Sequence, residues 1–396
     1  MRPALEVADV FRRHGEAFRR DRGPHLGRVE RRVMSAIEQC RTPALGGHVE
    51  QCGDCGLVRH AYNSCRNRHC PKCQGLARAA WLEARQAELL PVPYYHVVFT
   101  LPAAAAEIAF QNKRVVYAIL FRAAADALRD IAADPRHLGA EIGAVAVLHT
   151  WGQALQHHPH LHCIIPGGGL APDRRRWVPC RPGFFLPVRA LSQRFRTLFL
   201  ARLRAAFAAG ELRFSGTLAA SAGRDTFAER ITALRGIEWV VYAKRPFAGP
   251  EQVLAYLGRY THRVALANSR LTQLADDQVS FTWKDYRHEG KTKVMTLAAD
   301  EFIRRFLLHA VPDGFHRIRH VGFLANGYRT AKLALCRALL AATQPEPPPV
   351  EGYRERHRRL TGRALDVCPD CGGPMRERGP LPRQPPPRGP LWCNSS

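Results

Sequence analysis

The sequence predicts a mixed α/β or α+β protein preceded by a small metal-held module, and three observations lead to that expectation. β-branched and aromatic runs such as "YYHVVFTLP" (94–102) alternate with stretches whose apolar residues recur three and four apart. Two CxxC pairs sit close together in a stretch rich in turn formers, between residues 40 and 75. The length of 396 residues, 46% of them hydrophobic, suffices for two or three domains and a large core.

Taken in order, residues 1–39 read as helical, since "VADVFRRHG" and "VERRVMSAIEQC" space their apolar residues for one helix face. The cysteine-rich stretch follows, and "GLARAAWLEARQAELLP" leads out of it as a helix that ends before Pro91 and Pro93. "YYHVVFTLP" is then a buried strand, residues 103–134 are helical, and "GAVAVLHTWG" (143–152) and "HLHCIIP" (160–166) are further strands. Residues 189–209 and 225–235 read as helices, and "IEWVVYAKRPF" (237–247) as a strand. "PEQVLAYLGRYTHRVAL" opens with proline near the first helical position and continues with helical spacing. "VSFTWKD" and "KTKVMTL" form a hairpin. "TQPEPPPVEG" reads as a linker and "GPLPRQPPPRGP" as a disordered or polyproline tail. The expected domains are a helical and zinc-binding module at 1–90, a central domain at 91–340 and a proline-rich C-terminal segment at 341–396.

The net charge of +25 is carried mainly by arginine and points to a polyanionic partner, nucleic acid first. GC-rich coding is the alternative source of such an excess. No run approaches the roughly 20 apolar residues of a membrane helix, and the first residues lack the apolar segment of a signal peptide. The expectation is a cytoplasmic protein without a membrane partner. Twelve cysteines in that setting favour metal over disulfides.

Cys52-Gly-Asp-Cys55 and Cys70-Pro-Lys-Cys73 have the spacing of two knuckles that aim four thiolates at one tetrahedral zinc. Cys40, His48, Cys65 and His69 interleave with them and could hold a second zinc; otherwise the histidines are surface residues and Cys65 a small buried apolar one. Arg59, Arg66, Arg68 and Lys72 would coat the module with positive charge for DNA. Cys368-Pro-Asp-Cys371 is a third knuckle with only Cys393 downstream, half a site awaiting another segment.

In "HHPHLHCIIPGGGL" (157–170), strand periodicity puts His160 and His162 on one face while Leu161 enters the core. Their Cα atoms would be about 6.6 Å apart, within reach of one ion, whereas His158 would lie about 13 Å from His162. Pro159 is expected to interrupt the strand. A half-buried histidine cluster is the alternative to a metal site. His149 on the preceding strand could join the pair, with Gln153 and His262 as other candidates, and open positions would remain for phosphate and water. The three glycines at 167–169 lack the GK[ST] of a nucleotide loop and read as a tight turn. In "YLGRYTHR", Tyr256 and Tyr260 stand four apart on one helix face, with Arg259 and Arg263 on a neighbouring one. Such tyrosines are commonly core residues. They are also what metal-assisted attack on a DNA phosphodiester needs, with a phenol as nucleophile and cations around the phosphate. Lys244 and Arg245, just ahead of that helix, are candidate phosphate contacts.

The order of "YYHVVFTLP", "HTWGQALQHHPHLHCIIPGGGL", "WVVYAKRPFAGPEQVLAYLGRYTHRVALANSRL" and "GFHRIRHVGFLAN" resembles the rolling-circle insertion-sequence transposases of the IS91 family, which are HUH endonucleases. "CRTPALGGHVEQCGDCG…YNSCRNRHCPKCQ" is similar to that family's zinc-binding domain, and the likeness runs from about residue 8 to 330. The resemblance implies an α+β fold with an HUH-type antiparallel sheet and flanking helices. It makes His160-Leu161-His162 the HUH motif binding Mg2+ or Mn2+, and Tyr256 and Tyr260 two nucleophiles that form a 5′-phosphotyrosine. Related conjugative relaxases favour His149 as third ligand, and Gly258 would let the tyrosine helix move. Implied partners are single-stranded element ends, target DNA and the host replication machinery, with the protein on the nucleoid when bound. A plasmid replication initiator or relaxase is the nearest alternative, though no P-loop for a fused helicase occurs. A non-catalytic zinc-dependent DNA-binding protein and an RNA-binding zinc protein are the alternatives from other classes.

Overall fold

A computed structural model describes residues 5–247, 252–253, 258, 265–285, 288–344 and 350–384. In chain order its principal elements are α1 (Val7–Arg22), α2 (Arg28–Gln39), β1 (Gly47–Cys52), β2 (Val58–Tyr62), α3 (Gln74–Gln86), β3 (Tyr94–Thr100), α4 (Ala103–Gln111) and α5 (Lys113–Ala133). There follow β4 (Gly143–Trp151), β5 (His157–Pro166), β6 (Gly168–Leu170), β7 (Trp177–Pro179), α6 (Val188–Ala208), α7 (Arg224–Gly236) and β8 (Val241–Phe247). The last are β9 (Leu271–Ala275), β10 (Gln278–Asp285), β11 (Lys291–Ala298), α8 (Ala299–Leu308), β12 (Ile318–Gly322), α9 (Arg329–Leu339), α10 (Tyr353–Thr361) and β13 (Met375–Leu381). No helix among the described residues is long and apolar enough to cross a membrane.

The chain divides into two compact units, each assembled from more than one stretch of the sequence. One unit comprises Met1–Trp81, His262–Leu307 and Pro348–Ser396; the other comprises Leu82–Thr261 and Leu308–Pro347. The hairpin of β10 and β11 and the C-terminal segment thus belong with the N-terminal stretch. The reason is strand pairing: β13, inside the expected C-terminal segment and running into the first residues of its expected tail, adds to the edge of β1, giving the order β13-β1-β2.

In the first unit, α1 and α2 bury Val10, Phe11 and Phe18 with Val33, Met34 and Ile37, the residues whose spacing predicted the helices. Phe11 meets Phe306 of α8 edge to face at 5.4 Å. The predicted hairpin pairs Val279 with Leu297 and Phe281 with Met295, and β9 extends it into a three-stranded sheet.

The second unit is an antiparallel five-stranded sheet, in the order β12-β4-β5-β3-β8, covered by helices on one face. Val97, Phe99, Ala146, Leu148, Leu161 and Cys163 point to that face and join the core formed with α4, α5, α6 and α7. The helical region expected at 103–134 is broken at Asn112, whose side-chain amide donates to the carbonyls of Ile108 and Arg213. Alternate residues of the same strands, His96, Val98, His160, His162 and His149, occupy the other face. The α+β expectation is met by this sheet.

Glycine 322 closes the β12 edge with φ +60°, and a Cβ there would lie 1.7 Å from the carbonyl oxygen of Ile142. That oxygen belongs to the backbone beside β4 and has no room to retreat. Gly322→Ala is expected to destabilise this unit by about 3 kcal/mol or more, read as a lowered urea midpoint. The glycines at 167–169 form no nucleotide loop: Gly168 and Gly169 begin β6, where Gly168 pairs with Pro179 of β7.

Candidate metal centres

The cysteines converge on two points. The sulfurs of Cys40, Cys65, Cys70 and Cys73 all lie within 4.8 Å of one another, as do those of Cys52, Cys55, Cys368 and Cys371. Sγ–Sγ separations are 3.4 Å for Cys40–Cys73 and 3.5 Å for Cys65–Cys73 in the first group. They are 3.5 Å for Cys52–Cys371 and 3.7 Å for Cys55–Cys368 in the second. Four thiolates about 2.3 Å from a tetrahedral zinc are about 3.8 Å apart, so both groups fit that ion. In the first, the Cys40 sulfur pushes the thiols of Cys65 and Cys70 up from their ordinary range; a dication reverses that preference and makes four thiolates stable together.

This grouping differs from the one that spacing suggested. Cys52 and Cys55 do not join Cys70 and Cys73, because the first pair sits at the turn of the β1–β2 hairpin while the second follows the hairpin. The chain returns to the end of α2, where Arg41 N–H donates to the Asn63 carbonyl, and Cys70-Cys73 closes on Cys40 and Cys65. His48 and His69 lie in neither group. The ring of His48 on β1 faces the Glu50 carboxylate at 3.1 Å, and the His69 backbone N–H donates to the Asn67 side chain. The knuckle at Cys368 finds its second half at Cys52 and Cys55; Cys393 lies outside the described residues.

Of the basic residues expected to coat this module, Arg59 is engaged internally by Glu50 at 2.6 Å and Lys72 by Glu6. Arg66 is exposed with a left-handed backbone, φ +51°, in the loop between Cys65 and Cys70, and Arg68 follows it, half-buried.

The histidine centre stands on the sheet face turned away from the main core, with His149 and His162 buried and His160 half-buried. His149 of β4 is directly opposite His160 of β5, and two residue pairs along, Val147 opposes His162. Directly opposed residues share a face, so the three rings meet: centroids are 5.5 Å apart for His149–His160, 4.5 Å for His149–His162 and 4.8 Å for His160–His162. A ring nitrogen from each lies within 4.8 Å of the other two. His149 stacks on Trp151 at 4.7 Å.

Two hydrogen bonds orient the pair on β5. His160 Nδ1 lies 2.7 Å from the His158 carbonyl, to which only an N–H can donate, so its Nε2 is the nitrogen that could bind an ion. His162 Nδ1 lies 2.8 Å from Nε2 of the buried His96; with Nε2 of His162 as ligand, Nδ1–H donates to His96. Burial pushes His160 down to about 4 and His96 to about 3, and holds His162 well below the ordinary imidazole range. All three are neutral at pH 7, the form that binds a metal ion. Three neutral nitrogens with open positions fit a divalent ion that also takes phosphate oxygens and water.

His96 escaped the sequence reading, although a lone imidazole inside "YYHVVFT" was its signal. Loss of a partner that orients a ligand costs 10–100-fold in metal affinity. Were His149, His160 and His162 to hold Mn2+, His96→Ala would be expected to raise its dissociation constant by about that factor, measured by calorimetry, with the fold retained.

Pro159 does not interrupt the strand. β5 runs from His157, and the proline sits where the β4 pairing shifts register between His149 and Trp151, so its missing N–H costs no ladder bond. His158 contributes its carbonyl, and Gln153 lies in the turn after β4. Lys244 opposes His96 from β8, exposed on the histidine face, and Arg245 follows it in the strand. Tyr256, Tyr260, Arg259, Arg263 and His262 lie outside the described residues. Gly258, between the tyrosines, is helical and buried, and a Cβ there would come 2.7 Å from the Leu82 side chain, so close packing is a second reason for glycine.

Residues 143–332 match the family model described as "Putative transposase", and residues 10–101 match one described as "Transposase zinc-binding domain". The chain is 61% identical over 373 residues to "Putative transposase y4qJ" of Sinorhizobium fredii, covering 93% of this chain and 94% of that one. It is 29% identical over 337 residues to "Transposase for insertion sequence element IS801" of Pseudomonas savastanoi pv. phaseolicola, covering 81% of this chain and 76% of that one. No solved structure matches the chain.

Proposed function

This chain belongs to the IS91 family of transposases, DNA-processing enzymes with a zinc-binding domain, and from that premise we propose that it is a rolling-circle transposase that nicks single-stranded DNA at element ends. The observation that carries the reading is the convergence of His149, His160 and His162 on one point of one sheet face, two of them oriented by hydrogen bonds. His149, His160 and His162 would hold Mg2+ or Mn2+, which would supply positive charge to the scissile phosphate. Tyr256 or Tyr260 presents its phenolic oxygen to the phosphorus; as the Tyr–O–P bond forms, the bond to the 3′ oxygen breaks and a 3′ hydroxyl leaves with a proton. The product is a 5′-phosphotyrosine that keeps the bond energy, so the reverse attack by a 3′ hydroxyl rejoins strands without ATP. Two tyrosines allow one attack at each element end.

Lys244, on the histidine face, with Arg245, Arg259 and Arg263 neutralises the neighbouring backbone phosphates. Cys40, Cys65, Cys70 and Cys73 hold a structural zinc, and the loop they enclose presents Arg66 and Arg68 to DNA. The enzyme works in the bacterial cytoplasm on nucleoid DNA, with host replication machinery displacing or copying the freed strand.

The test is a nicking assay on single-stranded DNA carrying the element end, with Mn2+ or EDTA. A covalent protein–DNA adduct that needs the metal, persists in Tyr256→Phe or Tyr260→Phe and vanishes in the double variant supports the mechanism. DNA binding without an adduct under any divalent metal overturns it in favour of a non-catalytic zinc-dependent binding protein.

A further inference from the structure

We propose that Cys52, Cys55, Cys368 and Cys371 hold a second structural zinc that clasps the C-terminal segment 350–384 onto the β1–β2 hairpin. The match to a zinc-binding domain ends at residue 101, so half of this site comes from chain some 270 residues beyond it.

The two knuckles share one design. Cys52 N–H donates to the Leu57 carbonyl at 2.9 Å across a turn containing Gly56 at φ +75°. Cys368 N–H donates to the Gly373 carbonyl at 2.8 Å across a turn containing Gly372 at φ +77°. Both glycines adopt the left-handed backbone that lets the chain double back and bring its two sulfurs together. The Gly373 N–H lies 3.4 Å from the Cys371 sulfur, an amide-to-sulfur bond that favours a thiolate there. Strand pairing sets the knuckles face to face: β13 runs along β1 from Gly47↔Leu381 to Cys52↔Met375, and Gly53 N–H donates to the Pro374 carbonyl at 2.9 Å.

The packing around the site is too small to hold the segment by itself. The buried residues of its apolar cluster are Cys52, Cys368 and Met375, with Leu57 partly buried against them. α10 buries no residue. A strand with charged residues at three of its seven positions and so little core does not offset the entropy of ordering it. Four sulfurs at tetrahedral spacing supply what the core lacks. The zinc-binding unit is therefore closed by the far end of the chain.

This inference rests on the zinc reading of the module and not on the nicking chemistry. It is tested on the full chain purified under reducing conditions, by metal content and proteolysis. Two zinc ions per chain are expected. Cys368→Ser/Cys371→Ser is expected to retain one, and trypsin then cuts within 350–384 at least tenfold faster than in the wild type. Cys371→His, which keeps four ligands, retains two ions and the slow cleavage. If the double serine variant is insoluble, Co2+ titration of the metal-stripped wild type decides: the tetrahedral thiolate absorption saturates at two equivalents. One zinc per chain, saturation at one equivalent, or unchanged zinc in the double serine variant overturns the proposal.

Discussion

His160→Ala or His162→Ala is expected to lower nicking of the element end by about 10³-fold or more, with metal-free DNA binding unchanged. A Lewis-acidic ion contributes several kcal/mol to a phosphoryl-transfer barrier, and each 1.36 kcal/mol is a factor of ten in rate. Either substitution leaves two of the three nitrogens that now lie within 4.8 Å of one another. The fold survives because these side chains lie on the sheet face turned away from the main core, while Leu161 and Cys163 between and beside them carry that core. Single-turnover cleavage at saturating DNA, with circular dichroism as a control, measures the effect. A loss of only about tenfold in both variants would mean that the chemistry does not pass through this centre. His149→Ala should match them in direction, since its ring lies 4.5 Å from that of His162.

Removing the first cysteine site has the second large effect. Structural zinc in a four-ligand site contributes about 10–16 kcal/mol, against about 5–15 kcal/mol of net stability for a whole domain. Cys70 is fully buried with its sulfur among three others. Cys70→Ser is expected to lose this ion and to unfold the stretch from the end of α2 to α3. Hydrogen exchange should show residues 40–73 losing protection while β3, β4 and β5 keep theirs. Binding to a double-stranded element end should fall by at least tenfold. Protection retained across 40–73 in the zinc-free variant would sink this account.

The histidine pair was legible because its information is local. A period of two places His160 and His162 on one face of any strand, and a short connection back to "GAVAVLHTW" makes His149 the natural neighbour. The helices of 7–39 and the hairpin of 278–298 were legible for the same reason, since their apolar spacing is their structure. His96 was harder to read: its importance lies in the register between β3 and β5, which sets its ring against His162, and composition does not encode register. The edge strands "IRHVG" and "MRERGPL" lack alternation, being held by ladder bonds and not by an apolar face.

The cysteines divide most sharply between sequence and structure. Their number and their CxxC spacing determined that the chain binds soft metal ions near its start, because two thiolates three residues apart on a knuckle are local chemistry. Which pairs share an ion was decided only by tertiary structure. The cost of closing a loop grows slowly with its length, so a partner some 300 residues away competes with one fifteen residues away, and strand pairing settles the contest. Cys52 and Cys55 take Cys368 and Cys371 because β13 lies along β1, and Cys70 and Cys73 fall to Cys40 and Cys65 because the hairpin carries the chain back to α2.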